Sequence, residues 1–326
     1  MISRRRAVGL AAAAALGAGR SGARAQAPAG LVWPTRFVRL IVPLAPGGPT
    51  DFGARLLAEP LSKIWGQQVV IENKPGAGGN LAAELVARSD PDGYTILYAT
   101  SSVAVNRVLY RSINYDPIAD FAPVSLLTSF PFFMFVPMSL PATSVKEFIA
   151  YAKAKPATLA SPGTGSTPHL AGELFQRMAG IRMTHVPYRG AAPVLNDLMP
   201  GRVDVYFASG ALLTNMRAGQ IRGLAVTGAR REPAAPELPT MAEAGVPGYE
   251  ASSWHALFVP AATPAPIVAK INADAVAALA EPLVQEKLAL NGYHSIGSSP
   301  QELSRLLKAE IDKWGSVVKD AAIQID

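Results

Sequence analysis

Three short segments of the sequence combine glycine, proline and hydroxyl side chains in a pattern that could hold an anion: they are Pro43–Asp51, Asn73–Asn80 and Ser161–His169. Each follows a strand-like run and precedes a helix-like run. Glycine lets the backbone approach a ligand closely, and the unpaired N–H groups at the start of a helix favour negative charge. In the third segment Thr167 can cap a helix that Pro168 opens, which leaves the amides from Gly165 to Thr167 and the Ser166 hydroxyl for a carboxylate. Taken singly, each segment is equally consistent with an ordinary turn.

The first segment differs from the others because Asp51 falls in the opening turn of its helix. A carboxylate there already occupies the favourable end of the helix dipole and would repel a second anion. Bridging water can relieve that repulsion, so we expect water-mediated capture at this segment.

Four further residues are candidates for the same site. Arg189 directly follows a predicted strand and could neutralise a carboxylate, or be a solvated surface arginine. Ser101 and Ser102 follow another strand, and their hydroxyls could face a ligand or cap the next element. A lone histidine such as His169 is more often a polar surface group than a ligand.

The sequence lacks the motifs of common catalytic and cofactor sites. It contains no G-x-S-x-G, no H-E-x-x-H and no phosphate-binding G-x-x-x-x-G-K-[ST], and its two glycine-rich runs lack the third glycine of a dinucleotide fingerprint. There is no cysteine, and the four histidines show no metal-ligand spacing. We therefore predict no catalytic residue, no metal and no cofactor. A hydrolase would need a base near Ser166, and only His169 is close in sequence.

The elements that position these residues alternate between short apolar runs and helix-period stretches, which is typical of an α/β fold. The predicted strands are Arg39–Leu44, Val69–Glu72, Thr95–Thr100, Ala122–Thr128, Phe132–Pro137, Thr158–Ser161, Met183–Tyr188, Val203–Ala208, Ile221–Thr227 and Ser253–Val259. With 326 residues, two lobes are expected, each a mostly parallel sheet flanked by helices. Ser144 and Glu147 form a predicted capping box. The carboxyl ends of parallel strands gather the glycine segments at one edge, where ligands bind.

The net charge of +6 is concentrated at the start of the chain. The first 27 residues hold five arginines and no acid, so 25 basic residues face 24 acidic ones in the remainder. A near-neutral body argues against nucleic acid or an anionic membrane surface as a partner. The basic Ser3–Arg6, the apolar Ala7–Gly19 and the small residues Ala25 and Ala27 predict a signal peptide over residues 1–27, with Arg4 and Arg5 fitting the twin-arginine type.

A combination of longer motifs is more specific than any glycine turn. The motifs are Arg39–Asp51 (RLIVPLAPGGPTD), Val70–Asn80 (VIENKPGAGGN), Asp90–Tyr94, Tyr115–Val124, Val186–Gly190 (VPYRG), Leu238–Tyr249 and Lys313–Lys319. From about residue 34 to the C-terminus, the chain resembles the Bug (TctC-like) family, the extracytoplasmic solute-binding receptors of tripartite tricarboxylate transporters.

The resemblance implies a two-lobed periplasmic binding fold of type II with a ligand cleft at the hinge. Lobe 1 would comprise residues 28–129 and 251–326, and lobe 2 residues 130–250, joined through Ala122–Ser129 and Ser252–Val259. It further implies a periplasmic, monomeric receptor without enzymatic activity, a small carboxylate ligand and two integral membrane subunits as partners. A sensor without a transporter stays an alternative. The ligand-binding residues carried over are Pro46, Gly47, Gly48, Ser101, Gly165, Ser166, Thr167, Tyr188 and Arg189.

One position departs from the family pattern. Many relatives carry an acid after the strand that here reads Val203–Phe207, whereas this chain has Ala208. If residue 208 faces the ligand, an ammonium group would lack its partner there. We therefore expect a carboxylate without an α-amine; the alternative is that residue 208 only packs.

Overall fold

Two β-sheets, each flanked by helices, organise the chain. The structure, a computed structural model, describes residues 32–320, so the predicted signal peptide lies outside the described residues. The strands are β1 (Val38–Val42), β2 (Val69–Asn73), β3 (Thr95–Thr100), β4 (Phe121–Pro131), β5 (Phe133–Pro137), β6 (Ala157–Ser161), β7 (Met183–Pro187), β8 (Val205–Ala208), β9 (Ile221–Val226), β10 (Ser252–Pro260) and β11 (His294–Ser295). One sheet has the order β11-β4-β10-β3-β1-β2 and the other β7-β6-β8-β5-β9.

The helices connect these strands and cover the sheets. They are α1 (Pro49–Trp65), α2 (Asn80–Ala87), α3 (Ser102–Leu109), α4 (Val145–Ala154), α5 (Thr167–Ala179), α6 (Ala191–Leu198), α7 (Leu213–Arg217), α8 (Ala265–Leu279), α9 (Pro282–Leu290) and α10 (Pro300–Asp320). All residues of β3 and β5 are buried, as expected for strands covered on both faces. In the described part of the chain, no helix combines the length and hydrophobicity needed to cross a membrane.

The α/β fold class predicted from the sequence is confirmed, and all ten predicted strands are present with ends shifted by at most three residues. The expectation of mostly parallel sheets is wrong in detail. Helical crossovers make β1 parallel to β2 and β3, and β6 parallel to β7 and β8. After β4 the chain passes directly into β5 of the other sheet, and at β10 it returns to the first sheet. β4 and β10 therefore run in opposite directions and pair antiparallel. β5 also pairs antiparallel with β8 and β9, so both sheets are mixed.

The two chain crossings between the sheets lie side by side and are tied together by one residue, Thr227. The Thr227 hydroxyl accepts a hydrogen bond from the Phe132 N–H at 2.7 Å and donates to the Ala251 carbonyl oxygen at 2.6 Å. The backbone of Thr227 also bonds to both residues. Thr227 is fully buried, so these groups have no access to water as a substitute partner.

The loop between β1 and α1 is held by a buried carboxylate, Asp51. One oxygen accepts hydrogen bonds from the Gly47 N–H at 3.0 Å and from Arg55 Nε at 2.8 Å, and the other accepts from Asn73 Nδ2 at 3.0 Å. Burial opposes ionisation of Asp51, but these hydrogen bonds outweigh it and lower the pKa of the carboxyl below its usual value. Asp51 therefore shapes the loop in its charged form.

Replacing Thr227 by valine should leave the Phe132 N–H and the Ala251 carbonyl unpaired in the interior. We expect T227V to lose about 3 kcal/mol of unfolding free energy, since each buried unpaired group costs on the order of 1–3 kcal/mol. The matched control T227S keeps the hydroxyl and should stay within about 1 kcal/mol of the wild type. Urea denaturation of the three proteins measures this; equal stability of T227V and T227S would contradict the assignment.

The charged state of Asp51 predicts a pH dependence. Because the folded pKa is lowered, its contribution to stability is present above the unfolded pKa of about 3.9 and is lost as the pH falls through the folded value. We expect D51N to be about 2 kcal/mol less stable at pH 7, with its thermal unfolding curve approaching that of the wild type towards pH 3. The control E59Q, which breaks only the exposed pair with Lys63, should run parallel to the wild type. A constant difference between D51N and wild type from pH 7 to 3 would contradict the prediction.

Candidate functional site

A cavity with about 570 Å³ of empty space, its open mouth included, lies where the two sheets face each other. Both sheets contribute to its wall, and most of the exposed wall is apolar. The lining residues are Leu44, Ala45, Gly48, Pro49, Thr50, Thr100, Ser102, Phe130, Phe132, Pro162, Ser166, Thr167, Pro168, Ala191, Tyr206, Ser209, Ser253 and His255. Aspartate, glutamate, lysine and arginine are absent from this set.

Four helices begin at this cavity. Gly48–Thr50 at the start of α1, Ser102 at the start of α3, Ser166–Pro168 at the start of α5 and Ala191 at the start of α6 all line it. The N-cap side chains of α3 and α5 make no capping hydrogen bond, and the N-cap of α1 is a glycine. The first-turn N–H groups of a helix have no partner within that helix, and the helix dipole makes this end positive. The convergence of four such ends creates a positive potential without any cationic side chain.

The loop from Gly163 to His169 is held mainly by its own hydrogen bonds. The Ser166 hydroxyl donates to the Gly163 carbonyl at 2.6 Å, and the Ser166 N–H donates to the same oxygen at 3.2 Å. The Gly165 N–H donates to His169 Nδ1 at 3.2 Å. The amides of Gly165 and Ser166, expected from the sequence to face a ligand, are therefore used inside the loop. The hydroxyl oxygen of Ser166 and the first turn of α5 remain at the cavity.

His169 is buried, contrary to the expectation of a surface group. Its ring stacks on His185 with centroids 3.7 Å apart, which removes it from solvent. Because Nδ1 accepts from Gly165, Nε2 carries the proton and lies 3.3 Å from Glu173. Burial and the neighbouring His169 lower the pKa of His185 to about 4, so that ring is neutral at pH 7. The stacked His169 and His185 rings therefore hold the Gly163–His169 loop in place through the Gly165 hydrogen bond.

The first glycine segment contributes Gly48 to the cavity wall, whereas Pro46 and Gly47 are not among the lining residues. The Gly47 N–H points at Asp51 instead. The repulsion expected between Asp51 and a bound anion is weakened because Arg55 pairs with this carboxylate at 2.8 Å. Asp51 itself does not line the cavity.

Ser101 lies behind the cavity wall and joins the two sheets. Its hydroxyl oxygen is 2.6 Å from Thr167 Oγ1 and 2.6 Å from Ser253 Oγ, and the residue is fully buried. Thr167 and Ser253 line the cavity, as does Ser102. Ser101 therefore links the start of α3 to the start of α5 across the junction between the sheets.

Tyr188 and Arg189 border a second, outer hollow of about 1390 Å³, open solvent included. It shares Leu44, Ala45, Pro162 and Ser166 with the inner cavity. The Tyr188 hydroxyl donates to Asp197 at 2.7 Å, and burial together with that carboxylate raises the pKa of Tyr188 to about 12. Arg189 is exposed. The structure thus places these two residues outside the inner cavity, at its approach.

Ala208 is the last residue of β8 and lies opposite Phe133 on β5. It is 2% exposed and belongs to an apolar cluster with Phe133, Ala160 and Tyr206. It is not among the residues that line the cavity; the next residue, Ser209, is.

Several lining residues were missed from the sequence. Ser209 follows a strand end, the same signal that identified Ser101 and Ser102. Phe130 and His255 lie inside β4 and β10, and only the passage of those strands from sheet to sheet brings them to the cavity. Within the described residues, no group of three or more histidine, aspartate or glutamate side chains could hold a metal ion.

Comparisons with known proteins agree with this architecture. A protein-family model described as "Tripartite tricarboxylate transporter family receptor" matches residues 53–323. The Bordetella pertussis protein BugT is 35% identical over 298 residues, which cover 90% of this chain and 91% of BugT.

Two solved structures are similar throughout. The R. palustris protein Rpa4515 with adipate is 44% identical, with a TM-score of 0.86 and coverage of 90% of this chain and 99% of that one. The Rhodopseudomonas palustris protein MatC with bound malate is 35% identical, with a TM-score of 0.82 and coverage of 88% and 100%. The fold is thus that of the two-lobed periplasmic binding proteins, and this chain belongs to the tripartite tricarboxylate transporter receptor (Bug, TctC-like) family of solute-binding receptors.

Proposed function

We propose that this protein binds a small carboxylate in the periplasm by closing its two lobes, and delivers it to a membrane transporter with two integral subunits. The observation that carries the proposal is the convergence of four helix starts on one cavity whose wall has no charged side chain. The relatives solved with adipate and malate support a carboxylate as the ligand class. The sequence of residues 1–27 supports export.

The lobes we propose are residues 28–129 with 251–326, and residues 130–250, each with its own sheet. The segments expected to join them, Ala122–Ser129 and Ser252–Val259, belong to β4 and β10, and the chain passes between the sheets just beyond them. Hinge motion at this point would open and close the cavity. We propose that the protein acts as a monomer.

The arrangement of Ser166 and His169 favours binding over hydrolysis. Nucleophilic catalysis by serine requires a base that accepts the hydroxyl proton. Here the Ser166 hydroxyl donates to the Gly163 carbonyl, and His169 Nδ1 is occupied by the Gly165 N–H. The pair therefore lacks the contact that would activate the serine.

The ligand we propose lacks an α-amine, although Ala208 does not line the cavity. An ammonium group in the cavity would find no carboxylate on its wall, because Asp51 lies outside it. A buried cation without a countercharge is strongly disfavoured.

Substitution of Gly48 by alanine tests whether the helix starts at the cavity bind the ligand. Gly48 has φ −88°, and an added Cβ would meet only the Ala45 carbonyl oxygen at 3.7 Å, so the fold should tolerate it. The ligand is first chosen from C4–C8 carboxylates by thermal shift, since a hundredfold excess over Kd stabilises by about 2.7 kcal/mol. Titration calorimetry should then show at least tenfold weaker binding to G48A, because the methyl group enters the cavity.

The matched control is G315A, in α10 and away from the cavity, where an added Cβ also makes only ordinary contact. It should bind as the wild type does. The proposal fails if no carboxylate gives a shift, and the placement of the site fails if G48A binds as tightly as G315A.

Succinate and aspartate form a matched pair for the absence of an amine. Succinate should bind at least tenfold tighter than aspartate, about 1.4 kcal/mol, because only aspartate brings an ammonium into the cavity. Titration calorimetry at pH 7 measures both. Tighter binding of aspartate would refute the prediction.

A further inference from the structure

Two polar side-chain atoms in the cavity wall have no hydrogen-bond partner in the protein. They are Ser209 Oγ and His255 Nε2, in residues that are 4% and 1% exposed. Buried polar groups in native proteins are nearly always paired, and exceptions usually mark a function or a bound molecule. The two residues come from different sheets, Ser209 after β8 and His255 from β10. A ligand that satisfies both would bridge the lobes.

The His255 ring is held in a fixed orientation. It packs against Tyr98 and Phe130, each with centroids 5.0 Å away, and stacks on Tyr293 at 5.8 Å. Its Nδ1 lies 3.3 Å from Thr128 Oγ1, which leaves Nε2 as the unused atom. Burial lowers the pKa of His255 to about 3, so the ring is neutral at pH 7 and Nε2 can donate or accept according to the tautomer.

Ser209 is also fixed in place. The following residue, Gly210, packs closely on the backbone of Asn291. A Cβ added to Gly210 would lie 2.2 Å from the Asn291 carbonyl oxygen. Burial raises the pKa of Tyr293 and the nearby Ser209 partly offsets this, but the Tyr293 hydroxyl donates to the Pro49 carbonyl at 3.5 Å. Ser209 Oγ has no partner that meets hydrogen-bonding geometry. Ser209 thus presents a hydroxyl that can donate and accept.

The groups around this pair are uncharged. The aromatic rings of Phe130, Phe132 and Tyr206 line the cavity with it, and burial raises the pKa values of Tyr98, Tyr206 and Tyr293, which keeps their hydroxyls protonated. A second carboxylate placed here would be buried without a countercharge. A hydroxyl or carbonyl group would satisfy both side chains without that penalty.

We propose that Ser209 and His255 form a subsite for a neutral oxygen group on the ligand, so that the preferred ligand is a hydroxy or oxo carboxylate. This inference rests on the proposed function, which supplies the carboxylate. It names the ligand class and two residues that determine specificity. The helix starts bind the carboxylate and the Ser209–His255 subsite selects the substituent.

The test compares butanoate, pentanoate and hexanoate with their singly hydroxylated and oxo derivatives, by titration calorimetry on the wild type, S209A and H255F. At least one substituted acid should bind the wild type tenfold or more tighter than its parent. S209A should reduce that preference to less than threefold, because it weakens binding of the substituted acid more than binding of its parent. H255F, which keeps an aromatic ring but removes Nε2, should do the same. The control S316A removes an exposed hydroxyl from α10 and should change neither the binding of the parent acid nor the preference for the substituted acid.

Failure of this inference and failure of the proposed function give different results. If parent and substituted acids bind the wild type equally, or if S209A weakens both alike, the subsite is refuted while carboxylate binding stands. If no carboxylate of the series binds, both are overturned. Melting temperatures of the two variants establish whether they are folded. If H255F is unfolded, the result for S209A alone decides whether the subsite exists.

Discussion

A buried anion must be balanced by positive charge, and in this cavity no lysine or arginine side chain is available to supply it. The positive ends of α1, α3, α5 and α6 are the groups left to do so. Because α1 and α3 follow strands of one sheet whereas α5 and α6 follow strands of the other, the anion site we propose is complete only when the sheets face each other. Balancing the charge of the anion therefore requires both lobes.

The contacts that bring the sheets together are hydroxyl groups with little freedom. Thr227 ties the two chain crossings, and Ser101 links Thr167 of one lobe with Ser253 of the other through distances of 2.6 Å. Such buried hydrogen bonds are directional, so they fix the relative placement of the helix starts more closely than apolar packing alone.

Local signals in the sequence specified the elements, and only the topology placed the site. The capping box of Ser144 and Glu147 forms as predicted, with the Glu147 N–H donating to Ser144 Oγ at 3.2 Å, because capping depends on residues three apart. The position after a strand likewise identified Ser102, and the glycine-bearing turn before α5 identified Ser166. His255 and Phe130 could not be found this way, since they reach the cavity through the direct passage of β4 and β10 between sheets. Hydrophobic periodicity predicts that a segment is a strand, but it does not predict which strands or cavities lie beside it.

The charge of Asp51 shows where reasoning from spacing alone misleads. Its place in the first turn of α1 suggests competition with a bound anion, yet its oxygens are bound to Gly47, Arg55 and Asn73. The carboxylate thereby fixes the loop that ends at Gly48. The loop before α5 is likewise held by its own Gly163 carbonyl and by His169. Both loops use some of their backbone N–H groups in internal hydrogen bonds. Fewer N–H donors therefore remain for a ligand, but the loop structure already orients them. Preorganisation of this kind lowers the entropy lost on binding and makes a few well-placed groups sufficient.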